Sequence, residues 1–222
     1  MGDQDREKAI IIVPERSIGA SFQDEELSKD GFFTDWKVDP KWNLCNSPIS
    51  DNGRVKSVKS FLESNDKILV TTHATFRFAV DQFGIDIFDK CLLAIDEFHH
   101  VSANPDNKLG KQITKFIERN KVHIVAMTGS YFRGDNIPVL LPEDEMKFTP
   151  VTYNYYEQLN GYKYLKSLGI GYHFYQGKYL SAIKEVLDTD QKTIVHIPNV
   201  NAGESTKLKH DEVDTILDLI GT

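Results

Sequence analysis

Only two cysteines, Cys45 and Cys91, occur in the 222 residues. They form no metal-binding or redox motif, and a disulfide framework needs more of them, so both are expected to be reduced thiols. Long hydrophobic runs are also missing. The longest, residues 9–13 and 91–95, fall far short of the roughly 20 residues that cross a bilayer, and the N-terminus lacks the pattern of a secretory signal. The expectation is a cytoplasmic protein without a membrane segment. Positive charge is not in surplus: 26 Lys and Arg face 33 Asp and Glu, a net charge of -7. That excludes a protein that holds nucleic acid by overall basicity, but a local positive cleft on an acidic molecule remains compatible with such a partner. The last absence is chemical. No glycine-rich loop ending in Gly-Lys-Ser/Thr, the cradle that grips nucleotide phosphates, is present. The nearest imitation, between Gly171 and Tyr179, has one residue too many between its glycines and a tyrosine where the metal-binding Ser or Thr belongs.

What is there is an ordinary globular mixture, 40% hydrophobic and 27% charged, without repeats or low-complexity tracts. The length suits one buried core and part of a second. Apolar runs rich in branched residues recur at 9–13, 67–71, 91–95 and 122–127. Runs without polar alternation predict strands buried on both faces of a parallel sheet. Amphipathic stretches at 16–29, 55–63, 75–83 and 108–120 predict helices between them, so the order is β-α-β with helices on both faces of the sheet. Turning or polar residues follow each run: Pro14-Glu15-Arg16, Thr72-His73, Asp96-Glu97 and Thr128-Gly129-Ser130. Parallel α/β sheets bind ligands at the carboxyl ends of their strands, so these four segments are expected at one edge.

Residues 138–150, rich in proline and acid, read as a connection leaving this first domain. Eight of the nine tyrosines then fall between Tyr153 and Tyr179, interleaved with Lys163, Lys166 and Lys178. Such residues more often pack a connecting segment than stack bases. A helix over 179–187, a strand over 193–197 and a helix over 211–220 would open another α/β domain. The expected division is residues 1–150 as the first domain, 151–190 as a connection and 191–222 as the start of the second.

The segment Cys91-Leu92-Leu93-Ala94-Ile95-Asp96-Glu97 is an apolar strand ending in two carboxylates, the arrangement of a Walker B motif. A carboxylate at the strand end can hold magnesium through its water shell, and the next can orient or deprotonate the water that attacks a γ-phosphate. Asp96-Glu97-Phe98-His99-His100 extends this to a DExH box, and Met127-Thr128-Gly129-Ser130 closes the next apolar run.

In this order the chain resembles the superfamily 2 helicases. Val13-Pro14-Glu15-Arg16-Ser17 is similar to their motif Ia, Val70-Thr71-Thr72-His73 to motif Ib, Asp96 to His100 to the DExH box and Thr128-Gly129-Ser130 to motif III. Lys192-Thr193-Ile194-Val195-His196-Ile197-Pro198 is similar to motif IV, which opens the family's second RecA-like domain. The doubled histidine and Tyr-rich connection look closest to the branch that contains restriction-enzyme motor subunits.

The resemblance implies a RecA-like parallel sheet flanked by helices, lacking its phosphate-loop unit, plus the opening βα unit of a second RecA-like domain. It implies ATP and Mg2+ as cofactors of the complete protein. Asp96 would bind the metal, Glu97 would be the catalytic base, and His99 would link the nucleotide site to Thr128 and Ser130. Pro14, Arg16, Ser17, Thr71 and Thr72 would face the phosphates of one strand, against the plain alternative of turn and helix-cap chemistry. The implied partners are nucleic acid, with DNA the first candidate, and the remainder of the helicase polypeptide or a partner subunit. A non-catalytic module that binds nucleic acid or a protein is the competing expectation. A metal hydrolase using Asp96, His99, His100 and His73 has the residue types but not the His-Glu-x-x-His spacing.

Overall fold

Six consecutive buried residues, Lys8–Val13, form the first strand, β1. Three branched side chains in a row, Ile10, Ile11 and Ile12, favour a pleated backbone and supply apolar groups to both faces. The computed structural model describes residues 6–101, 106–129, 138–154, 157, 169, 171–177, 179–187, 193–195, 214 and 216–218. Within them β2 (Ile68–Thr72), β3 (Cys91–Ile95) and β4 (His123–Ala126) join β1 in a four-stranded sheet of order β2-β1-β3-β4. Every pairing is parallel, with Ile12 opposite Thr71 on one side and Ile95 on the other.

Alternation along the strands divides the core in two. Ile10, Ile12, Leu69, Leu93 and Ile95 pack with Val58 and Phe61 of α2 (Asp51–Glu63), Phe76 and Ala79 of α3 (His73–Phe83), and Ile113 and Phe116 of α4 (Lys108–Arg119). Ile11, Val13, Val70 and Ala94 face the other way, toward Cys45, Ile18, Phe22 and Trp36. Phe76, Phe88 and Phe116 meet with ring centroids 5.2 to 6.0 Å apart, and all three are fully buried. Each buried aromatic of this kind contributes roughly 1.5–3 kcal/mol through area removed from water.

The helices begin on side-chain caps. Ser50, Thr72 and Asn107 accept the backbone N–H of the residue three positions on, at the starts of α2, α3 and α4. The end of α2 is closed differently. The Lys8 ammonium donates to the carbonyls of Phe61, Ser64 and Asp66 and lies over the Phe61 ring, 4.6 Å from its centroid. Burial, followed by the charge of Lys67, lowers the pKa of this amine. Both cysteines are buried free thiols, and burial pushes Cys91 up to about 12, so neither is a reactive thiolate.

The structure departs from the sequence-based expectations in four places. The helix expected over 16–29 is only five residues long, α1 (Arg16–Ala20). Beyond it Glu25 bridges Trp36 in antiparallel fashion and Phe22 packs on Trp36 at 5.8 Å, so tertiary pairing replaces helix. Second, β4 is not buried on both faces: Val125 and, just beyond the strand, Met127 are exposed. Third, residues 193–195, the described part of the strand expected over 193–197, have no strand pairing and Ile194 is exposed. A strand of that type needs neighbours, and none of the described residues supplies one. Finally, Tyr153, Tyr172, Phe174 and Tyr175 are exposed, so packing does not account for them. The rest of the Tyr-rich segment lies outside the described residues.

The chain divides into two compact units, Met1–Val151 and Thr152–Thr222. The second contains a helix over Tyr179–Val186 in which Ala182 and Ile183 are buried, and a His173–Glu185 pair at 3.3 Å. Of the helix expected over 211–220, residues 214 and 216–218 are described and are helical. No helix among the described residues is long and apolar enough to cross a membrane.

Candidate functional site

Because every strand is parallel, the residues that follow them meet at one edge: Pro14 after β1, Thr72 at the end of β2, Asp96 after β3, and Thr128 two residues beyond β4. Backbone pairing continues past the strands and holds the turns. Asp96 donates its N–H to Ile12, Met127 to Ile95, and Phe98 back to Met127, each at 2.9 Å. Phe98 is buried and packs on Phe148, which anchors the turn that carries the two carboxylates.

Glu97 has φ 48° and ψ 50°, the left-handed region that a residue with a Cβ enters only at a cost of about 1 kcal/mol or more. The Glu97 N–H donates to Asp96 Oδ1 at 2.9 Å. His99 Nδ1 then lies 3.1 Å from Glu97 Oε2 and 3.0 Å from Thr128 Oγ1. Asp96, Glu97, His99 and Thr128 are all half-buried, open enough to meet a ligand and enclosed enough to be oriented.

Two further histidines adjoin the turn. His73 Nε2 is 2.8 Å from the Asp96 carbonyl, and His100 stacks on His99 with centroids 4.3 Å apart. Burial of His73 outweighs its hydrogen bond to Asp96 and lowers its pKa, which favours the neutral ring. Sequence reasoning did not find the His73 bond. The residue stands in the Thr72-His73 turn, but nothing in that pair says that its ring reaches a strand two places away.

The phosphate-facing set is only partly assembled. Thr71 is fully buried and cannot touch a phosphate, which corrects its assignment. It pairs with Ile12 in the register, so alternation turns its side chain to the core, where its hydroxyl has no hydrogen-bond partner. The Thr72 hydroxyl caps α3 through the Thr75 N–H. Arg16 donates to the carbonyls of Cys45 and Ser47, and Ser17 to Glu15. Arg16 and Ser17 remain exposed and Pro14 half-buried beside them. Ser130 lies outside the described residues.

Among the described residues no group of three His, Cys, Asp or Glu side chains is placed to hold a metal ion, the set Asp96, His99, His100 and His73 included. Magnesium bound largely through water makes a smaller demand. One hard, half-buried carboxylate at a strand end, Asp96, fits it. The phosphates of a nucleotide have no Gly-Lys-Ser/Thr cradle within this sequence.

Fold and site together define an α/β protein with a parallel sheet and two adjacent carboxylates at its carboxyl edge. The chain is 61% identical over 219 residues, 99% of its length, to a protein of Bacillus subtilis (strain 168) named "Putative ATP-dependent helicase YeeB", and it spans 36% of that protein's length. No family model matches the chain. No solved structure matches it.

Proposed function

We propose that this chain is part of an ATP-dependent nucleic-acid helicase or translocase, carrying the catalytic carboxylates of its first RecA-like domain and the start of its second. The observation that carries the reading is the bridge from Glu97 through His99 to Thr128, which joins the ends of two adjacent strands around a base held in a left-handed conformation. The similarity to a protein named as an ATP-dependent helicase supports it. Residues 1–150 are read as the first motor domain, 151–190 as the connection and 191–222 as the opening of the second.

ATP with magnesium supplies the phosphoryl group and the charge neutralisation that its transfer requires. Asp96 would hold the metal through its water shell at the strand end. Glu97 orients the attacking water and takes its proton, and His99 keeps the Glu97 carboxylate aimed while tying it to Thr128. Pro14, Arg16, Ser17 and Thr72 form the side that meets the phosphates of one strand, read here as DNA, as in the restriction-enzyme motor branch. The edge of β4, unpaired among the described residues, and the groove of about 440 Å³ beside it, lined by Phe116, Val122, Ile124 and Phe148, suit a further part of a longer polypeptide.

The test uses both the full-length protein and this chain. The full-length protein is expected to hydrolyse ATP when nucleic acid is added, Glu97→Gln to abolish hydrolysis while ATP still binds, and the 222-residue chain alone to show no turnover. A Glu97→Gln protein that hydrolyses ATP at the parent rate would refute the assignment.

A further inference from the structure

Among the described residues, His73 makes the one hydrogen bond between the β2–α3 junction and the Asp96-Glu97 turn. The strands concerned are not neighbours: β1 lies between β2 and β3. With β1 between them, the imidazole and the Asp96 carbonyl reach toward one another past the end of β1 and meet at 2.8 Å. His73 directly follows Thr72, the cap of α3, so its backbone moves with the residue that starts that helix.

The bond falls on a sensitive peptide group. The carbonyl of Asp96 and the N–H of Glu97 belong to one plane, and rotating that plane changes ψ of Asp96 and φ of Glu97 together. His73 holds the oxygen end and Asp96 Oδ1 holds the N–H end. With both ends held, Glu97 stays at φ 48°. Without the imidazole, the plane can rotate toward the region that L-residues prefer, and the Glu97 carboxylate leaves His99.

We propose that His73 is a positioning residue that locks the Asp96–Glu97 peptide in its left-handed setting and transmits a displacement of the Thr72-His73 segment to the Glu97 carboxylate. The inference rests on the helicase reading and adds a physical link between its nucleic-acid side and its hydrolytic side, the coupling that makes hydrolysis respond to the track. The carbonyl can only accept, so Nε2 carries the proton in this link.

The experiment compares the full-length protein with His73→Leu and His73→Gln, the second retaining an N–H donor on a side chain of similar reach. ATP affinity, hydrolysis with and without a single-stranded deoxy- or ribo-oligonucleotide, and amide hydrogen exchange across residues 93–100 are measured on all three. His73→Leu is expected to keep ATP affinity, to lose tenfold or more of the oligonucleotide-stimulated rate and to exchange faster across 93–100, with His73→Gln restoring most of both. Unchanged exchange in His73→Leu overturns the proposal, and so does a loss that Gln fails to rescue and that tracks a lower unfolding midpoint. A parent protein that hydrolyses no ATP with either oligonucleotide sinks the helicase reading instead, while the exchange comparison still decides whether His73 locks the turn.

Discussion

His99 Nδ1 stands 3.0 Å from the hydroxyl of Thr128, twenty-nine residues away in sequence and on the next strand end. The same nitrogen is 3.1 Å from Glu97 Oε2, so a change at Thr128 reaches the carboxylate through one ring. In the full-length protein, Thr128→Val is expected to reduce nucleic-acid-stimulated ATP hydrolysis roughly tenfold, the value of one hydrogen bond of about 1.4 kcal/mol, with Thr128→Ser near the parent. Steady-state kinetics of the three proteins check this, and a Val variant as active as Ser refutes it.

Among the described residues no strand pairs with the far side of β4, and Val125 on that strand is exposed. Such edges pair with other chains. The 222-residue chain is therefore expected to self-associate at high concentration, and Val125→Lys to reduce the association while changing unfolding stability by no more than about 0.5 kcal/mol, as is usual for an exposed site. Sedimentation and urea unfolding are the measurements, and identical sedimentation of the two proteins would count against the edge.

Acid should destabilise the first unit through its paired carboxylates. Hydrogen bonds from Arg119 hold Asp89 below its ordinary 3.8, those from Trp42 and Lys41 hold Asp66 down, and that from Lys90 lowers Glu7 from 4.5. As pH falls through these ordinary values the unfolded chain binds protons before the folded one, so stability drops; it is fully present above about pH 5. Urea midpoints measured from pH 6 to 3 are expected to fall, and Asp89→Asn to flatten the slope by removing one such group. A parallel slope in that variant would assign the effect elsewhere.

Core substitution gives the largest expected effect on this chain. Phe116 is buried against Phe76 and Phe88, and Phe116→Ala is expected to cost about 3–5 kcal/mol through lost transfer energy and the cavity left behind. Urea unfolding reads the loss, and a change under about 1 kcal/mol would place Phe116 outside the core.

The sequence by itself determined the parallel sheet and the edge where the candidate site residues meet. Uninterrupted branched runs such as Ile10-Ile11-Ile12 can satisfy only strands covered on both faces, and a parallel sheet brings whatever follows those strands to one side. It also marked Asp96 and Glu97, because two carboxylates after an apolar strand are legible as a pattern. Only the tertiary structure decided the rest. That Thr71 is buried while Thr72 caps a helix depends on which face the register turns inward, and the two residues are chemically identical in the sequence. That β4 pairs on one side only, among the described residues, follows from the strand order, to which local periodicity is blind. Glu97's left-handed backbone and the reach of His73 across β1 arise from hydrogen bonds between strand ends far apart in the chain, and no local preference encodes a contact whose partner is set by the packing of the whole sheet.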